Sequence, residues 1–434
     1  REDDLDRIFR DIGAKEPDQV LRRILDDDVY PTFGDDSTSF EDAPTSGKLY
    51  LKVQKDNSHL LWGDFQTTDE GLRLIRSDRT LYGVQAVHES VGQTSFGEPR
   101  LRFTAYAAQP DRLAQRDVLR GTGGSTYFLK RQDILTGSAT LLVQWRDPVS
   151  GLVVRQERLI EGEDYEINYF QGVVLLRRPL DQAGGGGLVT DRPLGAYDID
   201  LVAQYEYVPT VGNVDGMSAG ARVEGWVNDS LRLGASAMRE TTGVADTELM
   251  GVDLLWRRSE NTYLSAEYAR SEGPGFGSDG SLNGGLDFLA GGSAGVTGAP
   301  ADSIRIEARG DLGELSNGRV AGFFMAYYDK KEAGFVSADY DIAVTQTAIG
   351  VASEVLLSPR ATLTFGYEKL KRDNGERRED ARAGLVYQIN EQWKAEIEVA
   401  HTDRFDPAAV AARNGSRTDL AGRLTYTRDE DLSL

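Results

Sequence analysis

Cysteine is absent from this sequence of 434 residues, and histidine is nearly so, at three. Without cysteine there is no disulfide and no thiolate metal site, and a chain that crosses an oxidising compartment has nothing to mispair. His59, His88 and His401 are far apart in sequence, which argues against a histidine-rich metal centre or a histidine-based triad. No run of about 20 apolar residues occurs, so no spanning helix is expected. A spanning barrel stays open, because its strands need only one apolar face. Positive charge is also short: 49 basic residues face 70 acidic ones, a formal charge of −21 that opposes binding to nucleic acid.

Motifs that carry chemistry are sparse. Gly121, Gly123 and Gly124 resemble part of a phosphate loop, but the lysine-serine ending is missing and the surroundings are β-rich, so a structural turn is the better reading. Glu396 and Glu398 share a strand face, yet among 70 acidic residues such pairs arise by chance. No catalytic residue, metal site or cofactor is expected, and no enzyme.

Glycine is plentiful, at 48 residues, beside a hydrophobic fraction of 40%, which leans towards β structure with many turns. The opening Arg-Glu-Asp-Asp, with neither methionine nor an export signal, reads as the start of a piece of something longer. Residues 1–47 form a helical, acidic lead-in. Leu5, Ile8, Phe9 and Ile12 make one helical stripe and Val20, Leu21, Ile24 and Leu25 another, with Pro17 at the restart. Asp26 to Asp28 and Asp35 to Asp36 lack the fixed spacing of a calcium loop and read as a solvated acidic face.

Residues 48–108 hold short strands at 49–54, 60–65, 81–88 and 101–107, which fit either a small sandwich or barrel strands. Residues 109–209 differ in texture, with hairpin-sized strands, the turn Pro148 to Gly151 and the glycine tract Gly184 to Gly187. An immunoglobulin-like sandwich is expected there, water-exposed, with Tyr165, Ile167 and Val173 in its core.

Residues 210–434 are the most regular. Eleven alternating strands are read between 217 and 428, most of them far longer than the five or six residues usual in soluble sheets. Val252, Leu254, Ile304, Ile306, Ile397 and Val399 fall on an apolar face. Arg222, Glu224, Arg305, Glu307, Arg309, Glu396 and Glu398 fall on the opposite one and are the candidate lumen-facing residues. Connections alternate in length, with 228–230, 258–261, 311–317, 357–360 and 390–391 short and the rest longer, the rhythm of a transmembrane barrel with short periplasmic turns. Eleven is odd, so closure calls for a further strand.

Several phrases carry a resemblance: Tyr30-Pro-Thr-Phe-Gly-Asp-Asp-Ser37, Leu61-Trp-Gly-Asp-Phe65, Arg120-Gly-Thr-Gly-Gly-Ser-Thr-Tyr-Phe128 and Gly162-Glu-Asp-Tyr-Glu-Ile-Asn-Tyr169. They resemble very large outer-membrane proteins of Gram-negative bacteria that combine extracytoplasmic β modules with a barrel. The last phrase also resembles modules of the giant gliding-motility and type 9 secretion translocon barrel. The resemblance implies an outer-membrane protein that passes or holds other proteins, with lipid, lipopolysaccharide and other envelope proteins or barrel strands as partners. A structural or adhesive surface protein with a filled anchoring barrel, or a porin-like channel, are the alternatives. The fold expected is all-β: an antiparallel transmembrane barrel, incomplete within this chain, with a preceding or inserted sandwich and a short N-terminal helical segment.

Overall fold

The computed structural model describes residues 50–67, 72–76, 79–109, 112–184, 188, 197–209, 216–242, 245–275, 279–289, 293–408, 414–429 and 432–433. The helical and acidic lead-in read over 1–47 lies outside them. In chain order the first strands are β1 (Leu51–Lys55), β2 (Ser58–Thr67), β3 (Arg79–Glu89) and β4 (Leu101–Ala108). Next come β5 (Leu113–Arg120), β6 (Thr126–Phe128), β7 (Thr140–Arg146), β8 (Val153–Arg158), β9 (Tyr165–Asn168), β10 (Val173–Leu176), β11 (Ala183–Gly184) and β12 (Tyr197–Tyr207). A second series follows: β13 (Ser218–Trp226), β14 (Leu231–Glu240), β15 (Thr247–Ser259), β16 (Thr262–Glu272), β17 (Asp279–Ser281) and β18 (Ala301–Asp311). The series ends with β19 (Ala321–Lys331), β20 (Gln346–Ser358), β21 (Ala361–Arg372), β22 (Arg377–Gln388), β23 (Trp393–Phe405), β24 (Gly415–Asp429) and β25 (Leu432–Ser433).

One antiparallel sheet of 16 strands runs β1 to β4, then β13 to β16, then β18 to β25. The chain leaves this sheet after β4, builds β5 to β12, and returns so that β13 pairs directly with β4, Ala108 opposite Ser218 and Phe103 opposite Val223. The strands of 48–108 therefore belong to the long sheet. All eleven strands read between 217 and 428 are present in it.

Boundaries differ where the alternation continues past the ladder. The strand read from 342 begins at Gln346, because residues 332–345 fold inward. The strand read from 318 begins at Ala321, after a short helix α1 (Leu312–Ser316) capped by Asp311, which accepts the Glu314 N–H at 2.9 Å. The longer connection read over 371–378 shrinks to four residues, since β21 and β22 pair as far as Lys371 opposite Arg377.

One face of the long sheet is apolar and uncovered. Cross-strand neighbours on it run Phe103, Val223, Ala235, Val252 and Tyr268, then onward through Ile306, Val351, Phe365, Leu385 and Ile397. Val252 is 54% exposed and Ile397 55%. A continuous apolar surface of this breadth far exceeds the few hundred Å² that a soluble monomer leaves bare.

The opposite face is covered. Residues 113–207, joined at one edge by β17, form two sheets packed face to face: β17-β5-β12-β7-β8, with β11 on β12, and β6-β10-β9. Between them lies a core of Leu119, Tyr127, Ile134, Leu141, Tyr165, Val174, Leu201 and Tyr205, with Ile167 packed against it; Val174 fills the place that alternation assigned to Val173. Gly172, at φ 67°, turns β9 into β10, and a Cβ there would meet the Arg131 carbonyl at 2.3 Å.

This sandwich is not water-exposed all round. Every residue of β12 from Asp198 to Tyr207 is buried, on both faces. Leu201, Ala203 and Tyr205 enter the sandwich core, while Asp198, Asp200, Gln204 and Glu206 turn the other way. The module touches the long sheet from β2, through Gln66 and Thr140, to β23, through the Leu188 N–H and Glu398. Those strands are twelve places apart in sheet order, roughly 60 Å if the sheet were flat. A module of this size has a radius of gyration of about 13 Å, so the sheet must curl around it.

Two more segments fill the same concave side. Residues 72–76 and 332–345 pack Leu74, Ile75, Phe335, Tyr340 and Ile342 against Leu249 and Ala269 of the sheet. The strand glycines have their explanation here. Gly251 lies under Ile75, where a Cβ would stand 2.3 Å from the isoleucine, and Gly350 lies under the ring of Tyr327 at 2.2 Å. Among the described residues, β1 pairs only with β2, and β24 pairs with β23 and β25.

Candidate functional site

The concave side is where charge collects. Arg222 donates to Asp253 and Ser236 at 2.8 Å and to Glu224 at 2.9 Å. Arg305 bridges Asp329 at 3.0 Å and Glu307 at 2.7 Å, and Glu307 also accepts from the Tyr263 hydroxyl at 2.9 Å. Arg309 lies over the Phe323 ring, 4.8 Å from its centre. Glu396 accepts from Arg423 at 2.5 Å, and Glu398 accepts the Leu188 N–H at 3.1 Å. Of the seven residues singled out in the sequence, the fold thus joins Arg222 to Glu224 and Arg305 to Glu307. Arg309 and the two glutamates of β23 stand elsewhere on the same face.

The module is tied to the sheet by residues that alternation did not single out. Arg79 of β3 grips Glu206 of β12 with two bonds, 2.8 and 3.1 Å, and pairs with Glu240 of β14. All three side chains are nearly fully buried. Asp339 of the inner segment 332–345 accepts from Arg76 at 3.2 Å, from Arg116 of β5 at 3.2 Å and from Gln144 of β7 at 2.8 Å. Burial alone would raise the Asp339 carboxyl, but Arg76 and Arg116 hold it below the usual carboxylate range. Three chain segments thus meet on one carboxylate.

Backbone carbonyls of the β7–β8 turn add to the grip: Gln346 donates to Ser150 O at 3.0 Å and Arg372 to Val149 O at 2.5 Å. On the far edge β17, from the long β16–β18 connection, pairs in parallel with β5. Asp279 there receives Lys130 at 2.7 Å and Gln115 at 2.8 Å.

Inside the module, Asp117 accepts from the Tyr205 hydroxyl at 2.7 Å, from the Lys130 N–H at 2.8 Å and from Gln115 at 2.8 Å. Burial outweighs these bonds and pushes its carboxyl up to about 6. A carboxyl raised in the folded state favours folding while protonated. The contribution is complete at about pH 4 and is lost as pH rises through 6, a swing of about 3 kcal/mol. Melting curves of wild type and Asp117→Asn should therefore diverge between pH 4 and 7, the wild type losing stability relative to the variant as pH rises. Parallel curves would remove the effect.

The glycine loop at 121–124 is a structural turn. A Cβ on Gly121 would strike the Asp181 carbonyl at 1.9 Å, and the Thr122 N–H donates to the Tyr127 hydroxyl at 3.1 Å. His88 meets Ser58 and His401 meets Thr418, each apart from the charge clusters.

The signal that could have exposed Arg79, Glu206 and Glu240 is weak: each is one charged residue near a strand end, in no recognisable motif. Asp339 lies in a loop with no periodicity at all. No model of a known protein family matches this chain, and no curated protein matches it.

Proposed function

We propose that this chain builds most of the wall of a β-barrel in a Gram-negative outer membrane, with the module 113–207 as a plug inserted into its lumen. The protein then acts as a translocon-like channel held shut in the form described. The observation that carries this reading is the pairing of opposites across one sheet. Strands mostly of eight to fifteen residues present a broad apolar face outward, and a charged face packed around an inserted domain inward. A lipid layer accepts the first, and an enclosed lumen accounts for the second. By the usual rule for turns, the module and the longer connections lie at the extracellular end, and the turns at 56–57, 260–261 and 359–360 are periplasmic.

The density of buried ion pairs holding the plug favours one second reading, a filled barrel that only anchors an envelope assembly. Fractionation followed by detergent extraction tests the shared claim; a native full-length protein soluble without detergent would end it. Face assignment is tested separately. Val252→Arg, near the middle of β15 on the apolar face, should cost about 2–4 kcal/mol in lipid. Urea titration of protein folded in lipid vesicles reads that loss, and a cost near zero would place Val252 away from lipid.

A further inference from the structure

Between the module and the sheet, towards the end that carries the turn at 260–261, a cavity of about 800 Å³ remains. That is within the range of small-ligand sites. Seven arginines and four carboxylates line it, in a chain whose formal charge is −21. Most of these arginines are neutralised close by: Arg257 is held by Glu98 at 2.6 Å, and Arg305 by Asp329 and Glu307.

Two are not. Arg73, on the inner segment 72–76, gives its backbone N–H to Glu267 at 3.0 Å, which fixes the segment, but its guanidinium meets no carboxylate among the described residues. Arg158, on β8, donates to the Thr140 hydroxyl at 3.5 Å and meets no carboxylate at ion-pair distance among the described residues. A guanidinium stays charged at any physiological pH, so two of them face this cavity with no carboxylate at ion-pair distance among the described residues; Glu307, already held by Arg305, feels the charge of Arg73 only at longer range.

We propose that the cavity is a binding site for a compact multivalent anion, a phosphorylated or polycarboxylate small molecule, gripped between Arg73 and Arg158. The arginine fork suits both oxygen geometries. Since Arg73 belongs to the wall-side segment and Arg158 to the module, the bound anion ties one to the other and holds the module in place. This goes beyond the channel reading and does not depend on it.

Calorimetric titration of the detergent-solubilised protein with tripolyphosphate, and separately with citrate, tests the site. One-site binding that weakens with added salt is expected from at least one probe. Affinity should fall roughly tenfold or more in Arg158→Gln, and further in the double variant with Arg73→Gln. Arg239→Gln, on an exposed arginine paired with Asp246 outside the cavity, should bind as wild type does. Tighter binding of tripolyphosphate assigns the site to phosphate, tighter binding of citrate to carboxylate, and either supports it. Arg158 is exposed, so the single variant keeps its fold even where the double does not. Absence of binding by both probes, or wild-type affinity in Arg158→Gln, overturns the proposal and leaves the membrane reading untouched.

Discussion

If the proposed channel reading holds, replacing residues 112–209 by a short glycine-rich turn should turn a nearly silent protein into an open pore in planar-bilayer recordings. The excision is topologically simple. β4 and β13 are already paired, with Ala107 opposite Ala219 and Ala108 opposite Ser218, so a tight turn closes them as an ordinary hairpin without shifting any register. What leaves is the largest body on the concave face. Arg79 keeps Glu240 as a partner on the wall, and the other inner charges exchange module groups for water. Barrels of 16 to 18 strands leave an aqueous channel when nothing fills them, and the proposed wall is of that class: the sheet has 16 strands, of which β1 and β25 are short. Stepwise currents of porin size are the expected result. Currents no larger than those of the intact protein would decide for the filled anchor.

Arg79→Ala should have the largest effect of any single substitution. It leaves Glu206 and Glu240 buried together without the cation between them, at a cost of about 3–5 kcal/mol, since breaking a buried network strands the charges that remain. The loss falls on the contact between module and wall rather than on either core. Hydrogen exchange should therefore accelerate in β12 while the β20–β22 ladder stays protected, and brief channel openings should appear. The triple variant Arg79→Met, Glu206→Gln, Glu240→Gln should recover most of the stability, because it leaves no unpaired charge. Unchanged exchange in β12 after Arg79→Ala would show that this cluster does not hold the module.

The wall was legible in the sequence and its contents were not, for one physical reason. A strand with one apolar face writes its period into every second residue, so eleven strands could be read between 217 and 428, with Ile306 and Arg305 on opposite sides. Strands β1 to β4 have the same texture, but alternation does not say which sheet a strand joins. The filling has no period. Leu72, Leu74 and Ile75 make a short apolar run, and Phe335, Tyr340 and Ile342 mimic the start of a strand. β12 misleads more actively: Asp198, Asp200, Gln204 and Glu206 look like a solvated face. They are buried because Arg79, 127 residues away from Glu206, and the rest of the wall cover them. Partners at such separations leave no local trace.

The burial of β12 on both faces has a consequence for the order of assembly. Its two chain tethers leave from one end of the sheet, beside the paired β4 and β13, and the sandwich is too bulky to pass between strands that are already hydrogen-bonded. On the barrel reading, the sandwich either folds before the wall closes around it or enters through the end that carries its tethers, never through the side. Glu206 is covered once β3 and β14 are in place, but Gln204 waits, hydrated, until the inner segment 332–345 arrives beside it. Contacts of such long span make folding slow.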